Sequence, residues 1–178
     1  MKDEYAIVLD FLPRGYGYGK PEPIAQVIGT SFFTLLEVVP REGVVLKPGD
    51  KVYIGPGKRE EIDHIKRRIN YEKLTAFAKS ELEEIIKRIV EENEERFVEF
   101  FNKAQPLTVR LHQLELLPGI GKKHMWEILE ERKKQPFKSF EDIKARVKLL
   151  PDPKELITKR ILMEIKGEDE KYRIFVRR

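Results

Sequence analysis

The chain has 178 residues, 40% hydrophobic and 37% charged, with 35 Lys and Arg against 31 Asp and Glu and no cysteine. That apolar share is enough for one or two small packed cores, while the lack of cysteine excludes a disulfide framework, a thiolate zinc site and a thiol nucleophile. The high charge, with many Lys, Glu and Ile, resembles proteins of thermophilic origin, where ion-pair networks are favoured.

Met1-Lys2-Asp3-Glu4 is too acidic, and Tyr5–Leu9 too short, for a signal peptide. No apolar run approaches the ~20 residues of a membrane span, so a soluble cytoplasmic protein is expected. The net charge of +4 is uneven: residues 1–70 carry 11 basic and 10 acidic side chains, residues 71–105 carry 6 and 9, and residues 106–178 carry 18 and 12. A basic excess confined to the last stretch is the footprint expected of a nucleic-acid contact.

Tyr5–Leu12 is a β-rich run ended by Pro13, hence a strand. Arg14-Gly15-Tyr16-Gly17-Tyr18-Gly19-Lys20 follows, alternating glycine and tyrosine between basic residues. Tyr16 and Tyr18 could stack on unpaired bases, or fold back onto their own sheet. Ala25–Gly29, Phe32–Val39, Val44–Leu46 and Lys51–Gly55 read as further strands, with a Pro-Gly turn at Lys47–Asp50. Short strands at such spacing indicate a small closed barrel, and Leu46–Gly55 resembles a turn of OB-fold barrels. Ile62–Leu74 fits a strand or a helix; read as a closing strand, it places Arg67 and Arg68 on a basic face.

Ser80-Glu81-Leu82-Glu83 has the form of a capping box, starting one long acidic helix to about Ala104. That helix is expected to connect two domains and is a candidate protein-binding surface. Next, Leu107, Leu111, Leu114 and Leu117 form a helical stripe, and Met125, Ile128 and Leu129 restart it, with Trp126 beside them. Between lies Leu117-Pro118-Gly119-Ile120-Gly121-Lys122-Lys123. Pro118 stops the first helix, the glycines allow a tight reversal, and Ile120 can point inward. The first amides of the second helix are unpaired and carry the positive end of its dipole. A phosphate can reach them past Gly121, with Lys122 and Lys123 adding charge and His124 near the same end.

This stretch looks like the helix-hairpin-helix motif of DNA- and RNA-binding proteins, over roughly residues 107–134. A second copy follows at a constant offset of 33: Leu116-Leu117-Pro118 and Ile128-Leu129 match Leu149-Leu150-Pro151 and Ile161-Leu162. It has Asp152 and Pro153 in place of Gly119 and Ile120, so one hairpin is intact and one degenerate. Ser139 is the expected cap of an intervening helix. The tail 171–178 alternates like a basic edge strand that either returns to the barrel or stays mobile.

No Walker A or Gly-x-Gly-x-x-Gly pattern is present. His64, His112 and His124 fall in different elements without metal-ligand spacing, and no carboxylate pair invites acid–base work. The expectation is therefore no catalytic residue, no metal and no cofactor.

The order of elements resembles a family of uncharacterised, mainly archaeal proteins with an OB-like barrel before a helix-hairpin-helix (SAM-like) domain, predicted to bind nucleic acid. The expected architecture is multi-domain α and β: barrel 1–75, connecting helix 76–105, helix-hairpin-helix domain 106–166 and basic tail 167–178. The expected function is non-enzymatic binding of RNA, slightly preferred, or DNA. The rival reading is an adaptor in a ribosome- or polymerase-associated assembly. The candidate contacts are Gly119, Ile120, Gly121, Lys122, Lys123 and His124 in the hairpin, and Tyr16, Tyr18, Arg67 and Arg68 on the barrel.

Overall fold

The computed structural model describes residues 2–177. Met1 and Arg178, the outer ends of the expected barrel and tail, lie outside them. The chain divides into two compact units, Met1–Ile85 with Met163–Arg178, and Ile86–Leu162. The stretch 76–105, expected to be a connector, is shared between the two.

Five antiparallel strands, β1 (Tyr5–Leu12), β2 (Ile24–Gly29), β3 (Leu35–Pro40), β4 (Lys51–Tyr53) and β5 (Ile62–Arg68), lie in the order β4-β1-β2-β3-β5. Register shifts at Val8/Asp10, Glu37/Val38 and Val39/Pro40 mark bulges, which bend a strand and strengthen its twist. The result is a curled half-barrel with β4 and β5 as its edges, where a closed barrel was expected. Ala6, Val8, Ala25, Val27, Val38, Val52, Ile54 and Ile62 form its interior cluster. The alternate positions Ile7, Leu9, Ile24 and Ile28 are equally buried, so β1 and β2 are covered on both faces. That explains the apolar run Tyr5–Leu9 at the start of β1, where a half-exposed strand would alternate.

Three strand limits move for identifiable reasons. β3 begins at Leu35, not Phe32, because the Asp3 carboxylate accepts from the amides of Ser31 (2.7 Å) and Phe32 (2.8 Å), and Phe33 has φ 57°. Val44–Leu46 is not a strand: Leu46 plugs the interior cluster while Val45 is exposed. β5 stops at Arg68, and Asn70 caps a 3-10 turn at Tyr71–Lys73, its Oδ1 accepting from the Lys73 amide at 3.2 Å.

Helix α1 spans Ala76–Glu92 and α2 spans Glu94–Lys103. The expected single helix from Ser80 starts earlier and breaks. Thr75 is the working cap, its hydroxyl accepting from the Ala78 amide at 3.0 Å and donating to Asp10 at 2.7 Å, while its own amide reaches Gln26 Oε1 at 2.9 Å. Ser80 lies inside α1 and donates to the Phe77 carbonyl. Asn93 interrupts the helix with its side chain on the Ile89 carbonyl at 2.7 Å, the local competition with helical bonding that Asn side chains offer.

The second unit continues with a 3-10 turn at Gln113–Leu116, then α3 (Lys122–Lys134), α4 (Phe140–Arg146) and α5 (Pro153–Lys166). Ser139 caps α4 as expected, accepting from the Asp142 amide at 2.9 Å. The first arm of the intact hairpin is shorter than the leucine stripe predicts. Residues 106–112 close a tight loop in which the Thr108 hydroxyl accepts from the Arg110 and Leu111 amides, leaving one 3-10 turn before Leu117. Arg132 and Arg146 finish neighbouring helices, Arg132 donating to the Phe101 and Ala104 carbonyls of α2 and Arg146 to the Glu131 and Gln135 carbonyls of α3. Cations at these ends also match the helix dipole.

The described part of the C-terminal tail is not an edge strand. Ile174, Phe175 and Val176 donate their amides to the fully buried Glu164 carboxylate, and the Arg177 amide reaches the Phe32 carbonyl at 3.2 Å. The tail thus returns to the barrel unit.

Candidate nucleic-acid interface

Within the second unit, the hairpin turn is closed by the Ile120 amide on the Leu117 carbonyl at 3.1 Å. Ile120 is buried and its amide used, so it shapes the turn and offers no donor to a ligand. Gly119 has φ 102°, which favours glycine, and a Cβ there would meet Leu156 Cδ2 at 3.2 Å, a tight contact that the leucine side chain could relieve by a small shift. Gly121 is the extended N-cap of α3, and a Cβ there would meet nothing within 4 Å. Its role is openness rather than backbone freedom.

The first α3 bond to a carbonyl runs from the Met125 amide to Gly121 at 3.0 Å. The amides of Gly121, Lys122, Lys123 and His124 therefore have no acceptor among the described residues. Lys123 is exposed and no carboxylate among the described residues lies within ion-pair distance of it. Lys122 behaves differently from the expectation: its ammonium folds back onto the Arg110 carbonyl (2.6 Å) and Glu115 Oε1 (2.8 Å). It ties the loop before the hairpin to the start of α3. Trp126, not singled out as a contact by the sequence, is 59% exposed on α3.

The turn before the hairpin rests on His112. Its Nδ1 accepts from the Leu114 amide at 3.0 Å, and its own amide donates to Glu115 at 3.0 Å. The neutral ring is therefore protonated at Nε2. Burial, then the Arg132 cation and, further off, Lys122, hold His112 below its ordinary 6.5, with Glu115 pulling the other way. Because the folded ring resists a proton that the unfolded ring accepts, stability falls as pH drops from about 6.5 through the depressed folded value. Urea midpoints at pH 7.5 and 5.5 should differ in that sense, and a His112→Gln variant should flatten the difference.

The degenerate hairpin differs in who supplies the negative charge. Counted from the helix starts, Asp152, which the constant offset of 33 sets against Gly119, stands instead where Gly121 stands before α3. Its carboxylate accepts from the Lys154 amide at 3.1 Å. The chain thus fills this helix end itself, whereas the end at Gly121 is left open.

In the barrel unit, Tyr16, Tyr18 and Arg67 come together with Lys20, Lys66 and Lys73 around a cleft of about 320 Å³. The tyrosine rings stack at 5.8 Å and 17°, and the Lys73 ammonium lies 5.1 Å from one centroid and 5.8 Å from the other. Tyr16 is locked from beneath, donating to buried Glu37 at 2.8 Å and accepting from Gln26 at 3.0 Å. Burial pushes its phenol up to about 12, helped by Glu37 and opposed by Gln26, so Tyr16 stays a neutral donor. Tyr18 is 68% exposed on top of it. Of the two tyrosines, Tyr16 folds back onto its own sheet, while Tyr18 stays exposed.

Arg67 lies 3.7 Å from Glu37 in this cleft, and Lys66 pairs with Glu22 at 2.8 Å. Arg68 is not here. It pairs across the sheet with Leu36 while Arg67 pairs with Glu37, and strand alternation sends the two pairs to opposite faces. Lys73 and Gln26 were missed because their part depends on long-range packing. The part of the acidic α1 that belongs to the second unit is drawn into ion pairs there, Lys87 with Glu155 at 2.5 Å and Glu91 with Lys154 at 2.9 Å.

A five-strand half-barrel followed by a five-helix all-α region defines the architecture. The chain belongs to the family described as Protein of unknown function (DUF655), whose model matches residues 2–177. It is 47% identical over 176 residues to the uncharacterized protein MJ0038 of Methanocaldococcus jannaschii, covering 98% of this chain and 80% of that protein. The crystal structure of Af1531 from Archaeoglobus fulgidus is similar with a TM-score of 0.91 at 50% identity, covering 98% of this chain and 100% of that one. No helix among the described residues is long and apolar enough to cross a membrane.

Proposed function

We propose that the protein binds nucleic acid without catalysing a reaction on it, single-stranded RNA somewhat ahead of DNA. The observation that carries this reading is the tyrosine cleft: a locked ring supporting an exposed one, with Lys20, Lys66, Arg67 and Lys73 around them. A flat aromatic platform among four cations, two of them beside the Glu22 and Glu37 carboxylates, suits unpaired bases and their phosphates. The hairpin supports it separately, with four unpaired amides and the Lys123 ammonium available to one backbone phosphate.

The test is fluorescence anisotropy of a labelled unstructured RNA 12-mer, with DNA of the same sequence alongside. Contact with about three phosphates gives a single-strand salt slope near −2, so affinity should fall roughly fifteen- to twentyfold between 50 and 200 mM salt. A Gly121→Asp, Lys123→Glu variant supplies its own carboxylate to the α3 amides, as Asp152 does for α5. It should keep its melting temperature and bind about tenfold or more weakly. Unchanged affinity in that variant would remove the hairpin from the proposal.

A further inference from the structure

The open side of the half-barrel, between the end of β4 and β5, holds a second cleft of about 970 Å³. Leu36, Ile54 and Ile65, continuous with the interior cluster, join Tyr5 and Phe32 as its apolar wall. Its charged lining is Lys2, Arg59, Arg68 and Arg177 against Asp3 and Glu4. Asp3 is buried and already accepts from the amides of Ser31, Phe32 and Thr34.

The three guanidinium groups are held by main chain and ring rather than neutralised. Arg59 Nε donates to the Gly55 carbonyl at 2.8 Å, Arg68 Nη2 donates to the Arg177 carbonyl, and the Arg177 guanidinium lies 5.7 Å from the Phe32 ring centroid. None of the three has a carboxylate among the described residues within ion-pair distance. Each guanidinium carries five N–H donors in a planar fork; Arg59 and Arg68 each use one in the bonds above, and most of the donors have no acceptor among the described residues. Guanidinium forks with no carboxylate in ion-pair distance, at the mouth of a cleft with an apolar wall, match a phosphate joined to a flat, weakly polar body.

The geometry points to a nucleotide as the ligand of this cleft, its phosphate on Arg59, Arg68 and Arg177 and its base against Tyr5, Phe32, Leu36 and Ile65. A free mononucleotide and the 5′-phosphorylated end of a strand share that chemistry. The site lies on the opposite sheet face from the tyrosine cleft and stands or falls independently of it.

Calorimetric titration with adenosine 5′-monophosphate, with adenosine, and with RNA hexamers carrying a 5′-phosphate or a 5′-hydroxyl tests it. The phosphorylated ligands should bind at least tenfold more tightly than their unphosphorylated partners. Arg68→Ala should weaken them about tenfold, Arg68→Lys less, and Arg67→Ala on the other face hardly at all, with melting temperatures checked for each. Binding of the monophosphate identifies a free nucleotide as a ligand; binding of the phosphorylated hexamer alone identifies a strand end. No heat with either phosphorylated ligand, equal binding in Arg68→Ala, or no preference for phosphate overturns the assignment.

Discussion

Glu164→Ala is expected to lower stability by about 3–5 kcal/mol and to release the C-terminal tail. The Glu164 side chain is fully buried and accepts from three consecutive backbone amides, Ile174 at 3.0 Å, Phe175 at 3.0 Å and Val176 at 2.9 Å. A carboxylate is suited to this because both oxygens only accept, and bonds to a charged acceptor are the stronger kind. Truncation leaves the Phe175 and Val176 amides buried without a partner, at roughly 1–3 kcal/mol each, while half-buried Ile174 can turn to water. The alternative for the chain is to undock the tail, which exposes Phe175 and Val176 and loses their burial. Either way the melting temperature drops and hydrogen exchange at residues 174–176 accelerates. A glutamine side chain at this position keeps one accepting oxygen and places an NH₂ group against an amide, so Glu164→Gln should fall between. Unchanged exchange in Glu164→Ala would show that the carboxylate does not hold the tail.

Tyr18→Ala combined with Lys73→Glu should weaken single-stranded RNA binding by about ten- to a hundredfold with little change in stability. Tyr18 is mostly exposed, so its ring contributes little to the fold, whereas Tyr16 beneath it joins Gln26 and Glu37. Stacking of one base on an aromatic ring is worth about 1–3 kcal/mol, which alone gives about a tenfold loss. Reversing Lys73 removes the cation beside both rings and places a carboxylate where a phosphate would lie. Tyr18→Trp, which keeps a stacking face, should retain binding. Anisotropy at 50 mM salt reads each effect, and equal affinity in Tyr18→Ala and Tyr18→Trp would mean that no base stacks there.

The strands were legible because β-rich runs bounded by Gly and Pro carry local information, as at Tyr5–Leu12. What was not legible came from side chains reaching far along the chain. Ser80-Glu81-Leu82-Glu83 reads as a helix start, yet Thr75 wins because the fold gives it Asp10 and Gln26 as partners. The leucine stripe from Leu107 implies a full helix, but Thr108 and Pro106 close a tighter loop. In the candidate sites, Gly119 has the positive φ expected of it, Gly121 leaves the start of α3 uncovered, and Lys123 stays clear of neighbouring carboxylates. Lys122 does not, because Glu115 and the Arg110 carbonyl lie within its reach. Arg67 and Arg68 look equivalent as neighbours, and only the pairing register shows that they serve opposite faces. Lys73 gave no signal at all, since a lone lysine acquires meaning only when a 3-10 turn sets it over two tyrosine rings.

The most direct test of the nucleic-acid reading is a heteronuclear NMR titration of the intact chain with an unstructured RNA 12-mer at low salt. Saturable shifts are expected at the amides of Gly121, Lys122, Lys123 and His124 and around Tyr18 and Lys73, all diminishing as salt is raised. Saturating RNA that leaves both sets of resonances in place, or moves only residues elsewhere, would contradict it.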